Sequence, residues 1–143
     1  MSMNRIMGID YGLRHIGIAM TDGLQIIVSP FGIIESRSIN ENVLRILEIA
    51  KNNNVFVIVF GFPLNMNGSE GEMAETIHKV VKTIKYFSTI KIVTVDERLT
   101  TMQAERMLID EGDVSRKKRK GLKDKIAAAL ILQTYMDMRI QAM

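Results

Sequence analysis

Val55-Phe-Val-Ile-Val-Phe60 is apolar without a break, β-branched or aromatic at every position. A strand with one wet face alternates, whereas a strand covered on both faces does not. The run therefore predicts a strand buried between helices in a parallel sheet. Its flanks agree. Upstream, Val43, Ile46, Leu47 and Ala50 follow the i, i+3, i+4, i+7 stripe of an amphipathic helix, which Asn52-Asn53-Asn54 ends. Downstream, Met73, Ile77, Val80, Ile84 and Phe87 form a second helical stripe, and 90–96 reads as another strand.

The chain before this region reads differently. Arg5–Asp10 and His15–Thr21 are short strands joined by a turn that contains Gly12. Asp22-Gly23 is a hairpin signal. The β-prone pieces Gln25–Val28 and Phe31–Glu35 flank Pro30, which predicts a kinked or edge strand. Near the other end, Thr100 with Gln103 fits a capping box, and Gly112 fits the end of that helix. Ile126–Leu132 is apolar all round and predicts a buried final helix reaching about Ile140. The order β-β-β-α-β-α-β-α-α predicts an α/β fold. It would have one five-stranded mixed sheet, helices on both faces and the first strand central. With 143 residues, 47% of them hydrophobic, a single domain over 1–143 is expected.

Composition narrows the chemistry. The absence of cysteine excludes disulfides, iron–sulfur clusters and thiolate zinc sites. The two histidines, His15 and His78, are far apart in sequence, which disfavours a histidine metal site. The longest nonpolar run, Val55–Leu64, falls well short of the roughly 20 residues that span a bilayer, so no membrane partner and a cytoplasmic location are expected. Net charge is only +3, yet 116–125 holds seven bases and one acid. Arg116, Lys117, Lys118, Arg119 and Lys120 are consecutive in it, on an otherwise mildly acidic chain. This concentration predicts a polyanionic partner such as nucleic acid. Repulsion among the five charges, followed by Gly121, predicts a mobile exposed loop over 115–121.

Three acids stand at the ends of separate elements. Asp10 ends the first strand, Asp96-Glu97 ends the fifth, and Asp124 lies one helical turn before the apolar stretch of the last helix. Parallel strands put their carboxyl ends on one edge, where ligands bind. Asp10, Glu97 and Asp124 could converge there, and clustered carboxylates call for hard cations, Mg2+ or Mn2+. Two such ions suit in-line phosphoryl displacement. Neighbouring strand residues face opposite ways, so Asp96 and Glu97 compete for this role. The connection Gly61-Phe-Pro-Leu-Asn-Met-Asn-Gly-Ser69-Glu-Gly71 enters a helix and could cradle phosphate. It has no P-loop lysine, and a plain connection with Ser69 as helix cap and Gly68 in a left-handed turn is favoured.

Four segments together resemble one family. They are Met7-Gly-Ile-Asp-Tyr-Gly-Leu-Arg-His-Ile-Gly-Ile-Ala19, Gly61-Phe-Pro-Leu-Asn-Met-Asn-Gly-Ser69, Val95-Asp-Glu-Arg-Leu-Thr-Thr101 and Asp124-Lys-Ile-Ala-Ala-Ala-Leu-Ile-Leu-Gln133. In order and spacing they look like the motifs of the YqgF family, whose members are also called RuvX. The resemblance covers nearly the whole chain. It implies an RNase H-like fold and a metal-dependent nuclease that processes the 5′ end of precursor 16S ribosomal RNA. Asp10, Glu97 and Asp124 fall on the family's acidic positions, and cleavage would leave a 5′-phosphate and a 3′-hydroxyl. His15 stands where the family usually has arginine, Asn67 where it commonly has aspartate, and Lys123 where it has an apolar residue. A four-way DNA junction resolvase and a non-catalytic RNA-binding assembly factor are the alternatives. The glycine-rich start also resembles an actin-like ATP-binding loop, but that fold needs a far longer chain. No apolar stripe is left over after the core is built, so a monomer or weak homodimer is expected.

Overall fold

The computed structural model describes residues 4–98 and 116–142. Strands β1 (Arg5–Tyr11), β2 (His15–Thr21), β3 (Val28–Glu35), β4 (Val55–Phe62) and β5 (Lys91–Asp96) form one sheet in the order β3-β2-β1-β4-β5. β2 is antiparallel to both β1 and β3, while β1, β4 and β5 run parallel. The described helices are α1 (Ile39–Asn52), α2 (Glu72–Phe87) and α3 (Arg116–Ala142). This is the expected mixed five-stranded sheet with β1 at its centre.

Each face of the sheet has its own core. Met7, Ile9, Ile58 and Phe60 pack with Val43 and Ile46 of α1 and Ile77, Val80 and Ile84 of α2. On the other face, Ile6, Ala19, Val57, Val59 and Val95 pack with Ala128, Ile131, Leu132 and Met136 of α3. The stretch 57–60 therefore cannot alternate in polarity: Ile58 and Phe60 meet α1 and α2, and Val57 and Val59 meet α3, while Phe56 at the strand's start is exposed.

Local chemistry sets the ends of α1. Ser38 Oγ caps the helix, accepting from the Glu41 amide at 3.2 Å and donating to Glu41 Oε1 at 3.0 Å. Asn42, fully buried, is not marked by the apolar stripe. Its side-chain amide donates to Tyr11 Oη at 2.7 Å and Ser36 Oγ at 3.0 Å, and its carbonyl accepts from the Arg37 amide at 2.8 Å. A buried amide satisfied this way fixes how the first turn of α1 sits on β1.

Asp22-Gly23 opens the turn of the β2–β3 hairpin as expected, with the Gln25 amide donating to the Asp22 carbonyl at 3.0 Å. Three local expectations are corrected. Gln25–Ile27 is not strand, because Asp22 Oδ1 accepts from the amides of Ile26 at 2.7 Å and Ile27 at 2.8 Å. Those amides hold its carboxyl below the usual range, and β3 starts only at Val28. Pro30 sits as expected in edge strand β3, beside a shift in the pairing register with β2, a place where a residue without an amide donor is tolerated. Ser69 does not cap α2. Gly71 does, without a side-chain cap, while Ser69 closes the preceding loop on Asn65 and Asn67. Finally, 116–121 is helical rather than a loop. Lysine and arginine are good helix formers and one glycine costs only about 1 kcal/mol against alanine. Extending a helix already begun at the apolar stretch is cheaper than starting one. The expected helix from Thr100 to Gly112 lies outside the described residues.

Candidate active site

The site forms where the parallel strands end beneath α3. Gly8 of β1 faces that helix so closely that a Cβ there would lie 2.7 Å from Leu132 Cβ and 2.9 Å from the Ala128 carbonyl oxygen. Asp10, two residues on, shares the face of Gly8. The register pairs Ile9 with Phe60, which sets Asp10 level with Gly61 of β4, and Gly61 pairs with Val95 of β5. Gly61 is a second close approach. A Cβ there would lie 2.5 Å from Ile131 Cδ1 and 3.2 Å from Glu97 Cδ. With no side chain on the strand between them, the carboxyls of Asp10 and Glu97 meet over Gly61 and share a hydrogen bond. Neither glycine was singled out for this by sequence reasoning. The available signal was a glycine inside an otherwise apolar strand pattern, a mark of close approach.

The competition between Asp96 and Glu97 resolves through Arg98. Asp96 takes a forked contact from its guanidinium, Nη2 to Oδ2 at 2.6 Å and Nε to Oδ1 at 3.1 Å. That contact, offset in part by desolvation, holds the Asp96 carboxyl below its usual range. Glu97 is the one that turns toward Asp10. Burial first, and then its hydrogen bond and charge contact with Asp10, push its pKa from 4.5 up to about 8. A proton thus sits between two hard oxygen donors. Such a donor set fits a divalent cation, which would take the proton's place.

Asp124 is a residue of α3, and its side chain lies outside what the structure describes. Its position is informative. Ala128 and Leu132 lie over Gly8, while Arg139 further along reaches Gln25, whose amide donates to the Asn4 carbonyl at the start of β1. α3 therefore runs antiparallel to β1, and one turn before Ala128 the helix backbone is at the Asp10 end. Arg116–Lys120 lie further on in that direction. His15 opens β2 exposed, and His78 on α2 pairs with Glu70 at 3.3 Å.

The Glu97 shift predicts an unusual pH dependence without metal. The folded protein keeps the Glu97 proton up to about 8, whereas the unfolded chain loses it near 4.5. Between those values the folded state binds more protons, so stability falls as pH rises, and it levels off above about 8. At about 1.4 kcal/mol per pKa unit the loss amounts to a few kcal/mol. Urea midpoints between pH 5 and 8.5 should show this decline in wild type and lose most of it in Glu97→Gln. A flat wild-type profile would contradict the arrangement.

The fold and this site define a chain with the architecture of resolvases and nucleases of the RNase H-like type. It aligns with Thermus thermophilus RuvC in complex with a Holliday junction substrate at TM-score 0.55 and 16% identity, over 94% of this chain and 95% of the other. It aligns with the large terminase nuclease of thermophilic phage G20c at TM-score 0.59 and 8% identity, over 91% and 81% of the two chains. The RuvX family model, described as Holliday junction resolvase, matches residues 4–138. A protein of Endomicrobium trichonymphae named "Putative pre-16S rRNA nuclease" is 64% identical over 96% of this chain and 98% of its own length. One of the same name from Natranaerobius thermophilus is 43% identical over 95% and 96%. The chain belongs to the RuvX family.

Proposed function

We propose that the chain is a divalent-cation-dependent endonuclease that processes the 5′ end of precursor 16S rRNA. The observation that carries this reading is the Asp10–Glu97 pair, half-buried and in contact over Gly61 at the edge where the parallel strands end. Asp10, Glu97 and Asp124 would hold the cations. Bound Mg2+ or Mn2+ would acidify the attacking water and offset charge building on the phosphoryl group. The chain's own part is to hold the two carboxyls in contact, so that a cation bound between them would offset their mutual repulsion. The ribosomal RNA substrate is supported by the names of the relatives at 64% and 43% identity. The RuvX description favours a second reading, four-way DNA junction cleavage. Symmetric cuts at a junction need two sites and hence a dimer, whereas we propose a monomer or weak homodimer.

Purified protein incubated with a precursor rRNA fragment and with a four-way junction, with magnesium or with EDTA, tests all three readings. Magnesium-dependent cleavage of the RNA alone supports the proposal. Symmetric junction cleavage by a tight dimer reverses the ranking. RNA binding without cleavage of either substrate in magnesium identifies a non-catalytic assembly factor.

The helical state of Arg116–Lys120 changes what salt should do. A flexible loop could lay all of Lys117, Lys118, Arg119 and Lys120 along one strand. Successive helix positions are 100° apart, so about half of them can meet a single strand. Each phosphate contact with single-stranded nucleic acid contributes about 0.7 to the slope of log affinity against log salt. Replacing these four residues by alanine should therefore flatten that slope by roughly 1.4, where a loop gives roughly 3. Filter binding from 50 to 300 mM salt, roughly the range where such slopes are read, checks this. An unchanged slope would make the segment a solubility device.

A further inference from the structure

Asp96, Glu97 and Arg98 are consecutive, yet only Glu97 enters the acid pair. We propose that Arg98 is a positioning residue that ties the Asn65–Glu70 loop to the end of β5. The loop and the Glu97 carboxyl then form one rigid wall of the substrate path. Asp96 is the anchor of this device and not a metal ligand.

The contacts divide the guanidinium between two jobs. Nε donates to both Asp96 oxygens, at 3.1 and 3.0 Å, and Nη2 donates to Oδ2 at 2.6 Å. The Arg98 amide also donates to Asp96 Oδ1 at 3.0 Å, which sets the side chain's starting direction. Nη1 remains, and it donates to the Met66 carbonyl at 3.3 Å. The loop it reaches is already closed on itself. Asn65 N donates to Ser69 O at 2.9 Å, Gly68 N to Asn65 O at 2.8 Å, and Ser69 N to Asn67 Oδ1 at 3.0 Å. Gly68 takes φ +86 beneath the guanidinium, where an added Cβ would meet Nη1 at 3.8 Å. A stiff loop held at one further point moves as a unit with that point. It carries Met66, whose side chain is 80% exposed, outward from the same edge that holds the acids. Lysine cannot replace Arg98, because one ammonium cannot fork onto Asp96 and also reach the Met66 carbonyl.

The substrate part of this inference rests on the nuclease reading, whereas the clamp does not. Amide hydrogen exchange of free full-length wild type, Arg98→Lys, Arg98→Ala and Asp96→Asn is read at Gly68 and Ser69. It is followed by steady-state cleavage of a precursor rRNA oligonucleotide. All three variants should exchange these two amides about tenfold faster or more, with the β4 core amides unchanged. KM should rise about fivefold with kcat within about twofold, because the acids are untouched, and lysine should not rescue. Unchanged exchange in Arg98→Ala and Arg98→Lys overturns the clamp. A fall in kcat of about a hundredfold at constant KM overturns it as well, since Arg98 would then act on the reacting atoms. If Arg98→Ala does not fold, Asp96→Asn gives the same readings with the guanidinium in place. If wild type cleaves nothing, the nuclease reading fails while the exchange rates still decide the clamp.

Discussion

Asp10→Asn is expected to abolish cleavage and, in the absence of metal, to stabilise the fold. The activity loss should be at least about a thousandfold, since losing a carboxylate that holds the cations forfeits several kcal/mol of transition-state stabilisation. Nucleic-acid affinity should stay within about threefold, because phosphate contacts are assigned to Arg116–Lys120 and carry most of the binding. The stability gain comes from Glu97, whose ionisation is opposed by burial and by the Asp10 carboxylate. An asparagine amide removes the like charge and can donate to Glu97, so the gain should be large at pH 8 and small at pH 5, where Glu97 is protonated in either protein. Magnesium should raise the melting temperature of wild type at pH 8 and leave that of Asp10→Asn nearly unchanged. Thermal melts at two pH values, with and without magnesium, beside cleavage assays, check each part. Undiminished cleavage by purified Asp10→Asn would remove Asp10 from the site.

Gly8→Ala should be strongly destabilising. The added Cβ would fall 2.7 Å from Leu132 Cβ and 2.9 Å from the Ala128 carbonyl oxygen. Neither is the free end of a flexible side chain, so α3 itself must move away from the sheet. Overpacking of this kind costs about 1–3 kcal/mol, and here the upper end or beyond is expected. In a chain of this size that lowers the melting temperature by roughly 6–12 °C. Activity should fall further than stability explains, because lifting α3 displaces the backbone that carries Asp124. Gly61→Ala is the milder control. Its Cβ meets chiefly the Ile131 Cδ1 end, which can rotate aside, although Glu97 Cδ at 3.2 Å must also yield. Differential scanning calorimetry of both variants should rank Gly8→Ala as the less stable. The reverse order would mean that α3 adapts to the sheet more freely than these distances allow.

Much of this molecule was legible in the sequence, for a simple physical reason. Burial on two faces erases alternation, so Val55–Phe60 announced a central parallel strand, and the 3.6-residue stripes announced α1 and α2. Pro30 announced an edge strand because it cannot donate to a neighbour on both sides. Asp10 and Glu97 were visible as strand-end residues, and the four family motifs grouped them with Asp124, which lies in the third turn of α3 rather than at its start. Tertiary structure alone decided the rest. Which of two adjacent carboxyls enters the site depends on what each one meets in the fold: Asp96 meets the Arg98 guanidinium, and Glu97 meets Asp10 over Gly61. The reach of Asp10 across β4 depends on what is absent at Gly61, and a missing side chain has no periodicity to read. The helical state of 116–121 depended on the helix already packed beyond it, an influence that local charge repulsion could not reveal. Sequence patterns report what each segment must bury, while the pairing of polar groups depends on which segments the fold brings side by side.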